Sequence, residues 1–145
     1  MRLVLDAEAV NALLDPRHPA ERKVRRAMEA ARRLRREVVI ATGTLAELYR
    51  GAGRNQALDA LLAREAGDGL VLRDTDRTLT RLIGALLAEA GAGSALFADA
   101  HPVAAAVEAG GGVIQTADPD DLTRLAAPYR TVVVEALARK KGEPG

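Results

Sequence analysis

The 145-residue chain contains no cysteine and no tryptophan, one phenylalanine and two histidines. Without cysteine there can be no disulfide, thiolate metal site or cysteine nucleophile, and the composition suits a reducing cytoplasm. With only His18 and His101 to draw on, a zinc centre built on imidazoles is not expected. The scarcity of aromatic rings argues against recognition of single-stranded nucleic acid by base stacking. Long hydrophobic runs are also missing. Leu3-Val4-Leu5 is too short for a signal-peptide core. The alanine-rich stretch from Ile83 to Val107 is interrupted by Glu89 and Asp99 and followed by Glu108, which makes a bilayer crossing too costly. The expectation is a cytoplasmic protein with no membrane association.

Charge is plentiful but balanced. The net charge of +1 says nothing by itself about partners, whereas its distribution does. Residues 17–37 carry nine basic side chains against Glu21, Glu29 and Glu37.

The length argues for one domain with one core. We assign that domain to residues 1–138 and read 139–145, Arg-Lys-Lys-Gly-Glu-Pro-Gly, as a disordered basic tail. Five short apolar runs, Leu3–Leu5, Val38–Ala41, Leu70–Leu72, Val113–Thr116 and Thr131–Val134, read as strands buried on both faces. Helical patterns fall between them, at about 7–14, 19–36, 44–65 with a break near Gly51–Gly53, 75–90, 97–109 and 120–126. Within 75–90, Leu79, Leu82, Ile83, Leu86 and Leu87 share one face while Arg77 and Arg81 lie on the other. Strands alternating with helices predict an α/β fold, a three-layer α/β/α sandwich around a mostly parallel five-stranded sheet.

In such sheets ligands bind at the carboxyl ends of the strands, where strand order reverses. Asp6 directly follows the first predicted strand and Asp118 the fourth. Glu47 lies one turn into the helix after the second, and Asp99 near the start of the helix leading to the fourth. Two unit charges about 5 Å apart at an effective dielectric of about 20 repel by about 3 kcal/mol, so such a cluster calls for a hard cation. Oxygen donors without sulfur select Mg²⁺ or Mn²⁺, which can activate water against a phosphodiester. Each acid also has a structural reading. Thr44-Leu45-Ala46-Glu47 fits a capping box. Asp118-Pro119-Asp120-Asp121 is a strong helix start, and Asp6 could cap the first helix. Four acids directed to one rim weigh toward function.

The segments Leu3-Val4-Leu5-Asp6-Ala7, Thr44-Leu45-Ala46-Glu47-Leu48-Tyr49-Arg50-Gly51, Ala98-Asp99-Ala100-His101-Pro102-Val103 and Thr116-Ala117-Asp118-Pro119-Asp120-Asp121-Leu122 together resemble PIN-domain proteins, in particular the VapC-type toxins of bacterial toxin–antitoxin pairs. The resemblance covers nearly the whole chain in the right order. It implies a PIN-like fold and a Mg²⁺- or Mn²⁺-dependent endoribonuclease acting on tRNA or ribosomal RNA, leaving a 3′-hydroxyl and a 5′-phosphate. Asp6, Glu47, Asp99 and Asp118 would be the catalytic, metal-holding acids, and Thr116 the hydroxyl residue beside the pocket. A homodimer and a cognate antitoxin that blocks the pocket are implied as well. Two positions depart from the family pattern. Glu8 stands where a small hydroxyl residue is usual, and is expected at the pocket edge. Ser94-Ala95-Leu96-Phe97 lacks an acid that several relatives carry there.

Among the arginines, Arg32, Arg33, Arg35 and Arg36 on the long second helix are candidates for an RNA track, against a solvated face or a grip for an acidic partner. Arg50 and Arg54, one and two turns after Glu47, are better placed for phosphate. His101, just before Pro102, is expected to be structural. Two rivals stand beside the nuclease. One is a catalytically weak PIN-fold module that binds RNA or a protein partner. The other is a phosphoacceptor receiver domain, which needs a lysine after its last strand, whereas lysine occurs only at 23, 140 and 141.

Overall fold

In a computed structural model of the protein, residues 1–138 are described; the basic tail expected at 139–145 lies outside them. Five strands, β1 (Arg2–Leu5), β2 (Glu37–Ala41), β3 (Leu70–Arg73), β4 (Gly112–Thr116) and β5 (Val132–Ala136), form one sheet in the order β3-β2-β1-β4-β5. Every pairing is parallel, so "mostly parallel" becomes wholly parallel. Among the described residues seven helices connect the strands: α1 (Ala7–Leu14), α2 (Glu21–Arg33), α3 (Thr42–Leu45), α4 (Ala52–Gly67), α5 (Arg77–Glu89), α6 (Phe97–Glu108) and α7 (Pro119–Ala126). A 3-10 turn at Ser94–Leu96 leads into α6.

Alternation along the strands divides the core in two. Leu3, Leu5, Val38 and Ile40 face α1, α2 and α4, and Val10, Val24, Met28, Leu58 and Leu61 complete that layer. Val4, Val39 and Ile114 face α5, α6 and α7, where Leu79, Ile83, Leu86, Val103 and Leu122 are buried. Full burial of one such side chain contributes about 1.5–3 kcal/mol. An apolar run with no polar gap is therefore what a strand covered on both faces requires.

Two helix boundaries differ from those expected. The basic helix ends at Arg33, not at 36. Arg35 takes the left-handed conformation (φ 56°), and the Arg36 amide returns to the Ala31 carbonyl at 2.8 Å, which closes the helix with a Schellman-type turn. The pattern expected over 44–65 divides into α3, starting earlier at Thr42, and α4, with Gly51 (φ 142°) at the join.

Strand order places the candidate site. The chain steps from β1 outward to β2 and β3, then returns to lay β4 on the other side of β1. The reversal lies between β1 and β4, and their carboxyl ends open the crevice where such folds hold ligands. Asp6 and Asp118 follow those two strands.

Candidate active site

Asp6 and Asp118 occupy the residue just before α1 and α7, yet neither side chain makes the helix-capping hydrogen bond. Capping does not explain them. The buried Asp6 carboxylate instead accepts a 2.7 Å hydrogen bond from the Thr116 hydroxyl, which in turn accepts the Asp118 amide at 3.0 Å. Thr116 is completely buried, so one hydroxyl joins the ends of the two strands.

Glu47 lies past the end of α3. The capping box read around it does not form. Thr44 is buried inside α3 and its hydroxyl has no hydrogen-bond partner, while the Glu47 amide bonds back to the Thr44 carbonyl at 3.2 Å. The Glu47 carboxylate is left exposed at the rim. Asp99 stands in the first turn of α6. All four acids line one cleft of about 290 Å³, together with Glu8 and the small residues Ala7, Ala95, Ala98 and Ala117.

Their ionisation reflects this crowding. Asp99 is pushed up to about 6, first by partial burial and then by the charges of Asp6, Asp118, Asp121 and Glu47. Burial raises Asp6 too, opposed by hydrogen bonds from Thr116 and the Ala7 backbone, with the Asp118 charge adding to the rise. Glu47 is raised by partial desolvation, then by Asp6 and Asp118. Glu8 behaves differently. Its partial burial is outweighed by hydrogen bonds from His18 and Asn11, which lower it. Because His18 Nδ1 accepts the Ala20 amide (3.0 Å), Nε2 carries the proton donated to Glu8 at 2.7 Å. Glu8 thus reaches the cleft edge with its carboxylate already engaged.

The donor set suits a hard divalent cation: oxygen only, negatively charged, and repelling itself. Among the described residues, no three His, Asp or Glu side chains already stand close enough together to hold an ion.

Arginines occupy two different places. Arg50 donates to the Glu47 carbonyl at 3.0 Å, and Arg54 to the Leu48 carbonyl (2.9 Å) and Asn11 (2.7 Å). Both stand beside the cleft, since Arg50 eases the charge on Glu47 and Arg54 that on Glu8. The other group lies elsewhere. Arg33, Arg35 and Arg36 precede β2 at its amino end, the rim opposite the acids, about 13 Å away by the length of that five-residue strand. Arg32 is tied to the buried Glu65 of α4 at 2.9 Å. The four do not form a continuous track into the cleft.

A family model described as PIN domain matches residues 3–128. The chain belongs to the PIN-domain family. PIN domains are typically nucleases and generally use divalent metals. None of the curated proteins matches this PIN domain in sequence. Solved structures similar in fold include VapBC2 from Rickettsia felis bound to a DNA fragment from its promoter (TM-score 0.64, 17% identity, covering 94% of this chain and 98% of that one). FitAB bound to an IR36 DNA fragment is similar too (TM-score 0.62, 18% identity, 97% and 99% covered). So is DNA-bound VapBC from Salmonella typhimurium (TM-score 0.61, 16% identity, 95% and 99% covered).

Two neighbours of this PIN-domain cleft lie outside the residues that the sequence assigns to it. Asp121, a helix-start acid by sequence, adds its charge to Asp99; its place three residues after Asp118, on the same helix face, is the sequence signal for it. His18 restrains Glu8 from ten residues away, and no local pattern announces that contact.

Proposed function

We propose that the protein is a Mg²⁺- or Mn²⁺-dependent endoribonuclease and the toxin of a toxin–antitoxin pair. The observation that carries this reading is the single cleft at the β1–β4 reversal, lined by Asp6, Glu47, Asp99 and Asp118, in which Asp99 is raised by partial burial and then by the other acids. A bound divalent ion would supply Lewis-acid activation of water and hold the phosphodiester oxygens. Asp6, Asp99, Glu47 and Asp118 would hold it. Thr116 keeps Asp6 and the Asp118 backbone in register, and Arg50 and Arg54 face the incoming phosphates. The fold shared with VapBC and FitAB complexes supports an antitoxin partner, which in this reading covers the cleft. The reading also takes the chain to be a cytoplasmic homodimer acting on tRNA or ribosomal RNA. No helix among the described residues is long and apolar enough to cross a membrane.

One observation favours a second reading, a PIN-fold module that binds RNA or a partner without efficient cleavage: among the described residues, no three His, Asp or Glu donors stand in ion-holding geometry. Asp6→Asn separates the two. Asparagine keeps the volume and relieves repulsion, so the fold is retained, while a charge that would hold the cation is lost. The nuclease reading expects RNA cleavage with Mn²⁺ to vanish. It also expects the melting-temperature gain that Mn²⁺ gives the wild type to shrink sharply in the variant. Equal metal stabilisation of both proteins, or cleavage undiminished by the substitution, would overturn it.

A further inference from the structure

Composition argued against base stacking because the chain has one phenylalanine and no tryptophan. Placement reverses that argument. Phe97 opens α6, two residues before Asp99 and next to Ala98, and both of those residues line the acidic cleft. It is 52% exposed, an unusual state for a phenylalanine.

A single exposed apolar side chain means little on its own. This one is braced. Its ring meets His101, one turn along the helix, edge-to-face, with centroids 4.9 Å apart and planes at 89°. His101 is buried, and its Nδ1 hydrogen-bonds the Phe97 carbonyl at 2.9 Å. The imidazole lies so tightly against Gly43 of α3 that a Cβ there would fall 2.3 Å from its Cδ2. His101 also acts electrostatically on Glu47. The α6 face that carries both rings therefore looks toward α3 and Glu47, and Phe97 stands at its outer end. A T-shaped contact engages at most one face of the phenyl ring, and with Phe97 half exposed another is left open to solvent, one residue along the chain from Ala98 of the cleft lining.

We propose that Phe97 is a stacking platform for an unpaired nucleobase of the RNA strand, at a nucleotide flanking the bond to be cut. The proposal rests on the nuclease reading above and deepens it. A flat ring held in one orientation loses little freedom when a base stacks on it. Base–aromatic stacking tolerates any base and requires that base to be out of a duplex. The site would thus select single-stranded or splayed RNA, while Arg50 and Arg54 contact the backbone.

The absence of tryptophan makes the test direct. In an Asp6→Asn background, which prevents cleavage, Phe97→Trp introduces the only indole in the chain. Titration with a single-stranded oligoadenylate should quench its emission at the concentrations where labelled oligoadenylate gains anisotropy. Phe97→Leu in that background should weaken binding between roughly 5-fold and roughly 150-fold, the span of one stacked base, with melting temperature and salt slope unchanged. In the otherwise wild-type chain, Phe97→Leu should raise KM for a single-stranded substrate more than it lowers kcat. Binding without quenching, equal affinity of the Phe97→Leu variant, or no binding at all overturns the platform. So does an emission shift that follows protein concentration alone, which would place Phe97 in a protein–protein contact. Cleavage by the wild type with Mn²⁺, run in parallel, tests the nuclease reading separately: cleavage without quenching removes only the platform.

Discussion

Asp99 shows how the price of assembling the acids is distributed. Its ordinary value is 3.8 and the fold raises it to about 6. Below about pH 4 the group is protonated whether the chain is folded or not, and no stability is lost. As pH rises, the unfolded chain releases this proton first, so folding stability falls until the folded carboxyl has ionised as well. Asp6 and Glu47, also raised, act in the same direction, whereas Glu8 and Glu108 are lowered and act in the opposite one. Comparison with Asp99→Asn isolates the single group. Metal-free melting temperatures measured from about pH 4 to about pH 7 should show the variant gaining on the wild type up to about pH 6 and holding a constant lead above it. Mn²⁺ should narrow that lead, since a cation favours the ionised wild-type carboxylate. A lead independent of pH would mean that neither burial nor the neighbouring charges raise Asp99 in the folded protein.

Among the elements, α2 carries a local conflict. Its terminating turn puts Arg35 at φ 56°, a conformation that costs a side-chain-bearing residue about 1 kcal/mol and suits glycine. Arg35→Gly should raise the melting temperature of the metal-free protein, with a gain of at most about 1 kcal/mol because glycine also loses more backbone entropy; a fall would show that the arginine side chain makes a compensating contact. The same turn explains one limit of the sequence reading. A helix that ends without glycine leaves no stop signal, so the pattern ran on to residue 36. Likewise Gly43 sits in α3 because a buried imidazole from α6 needs the space, a cause some 58 residues away. Strands were legible because a sheet covered on both faces demands unbroken apolar runs. The acids were legible because strand ends are where a parallel sheet exposes its crevice. The course of side chains within the cleft was not: Glu8 turning to His18, Thr116 joining Asp6 to Asp118, and Phe97 standing out from the rim all depend on tertiary neighbours.

At the scale of the whole molecule, positive charge is divided between two rims. Arg50 and Arg54 adjoin the cleft, while Arg33, Arg35 and Arg36 lie at the amino ends of the strands and Arg32 is held by Glu65. For single-stranded RNA each phosphate contact contributes roughly 0.7 to the slope of log affinity against log salt. Replacing Arg50 and Arg54 with glutamine should therefore flatten that slope by roughly 1.4. Replacing Arg32, Arg33, Arg35 and Arg36 should change it less, and a larger effect from this group would route the RNA over the far rim. The division of the site along the chain has a further effect, on timing. Asp6 and Thr116 share a hydrogen bond although 110 positions separate them, and β4 is the strand that brings them together. During synthesis the amino-terminal strand, α1 and even Glu47 can emerge and collapse well before the crevice has its second wall. A ribosome making this protein would hold a fragment lacking the second wall of the crevice until β4 has left the exit tunnel. If the product cuts RNA, the machine that translates it is spared until that strand emerges, and any inhibitor made alongside has that interval to be ready.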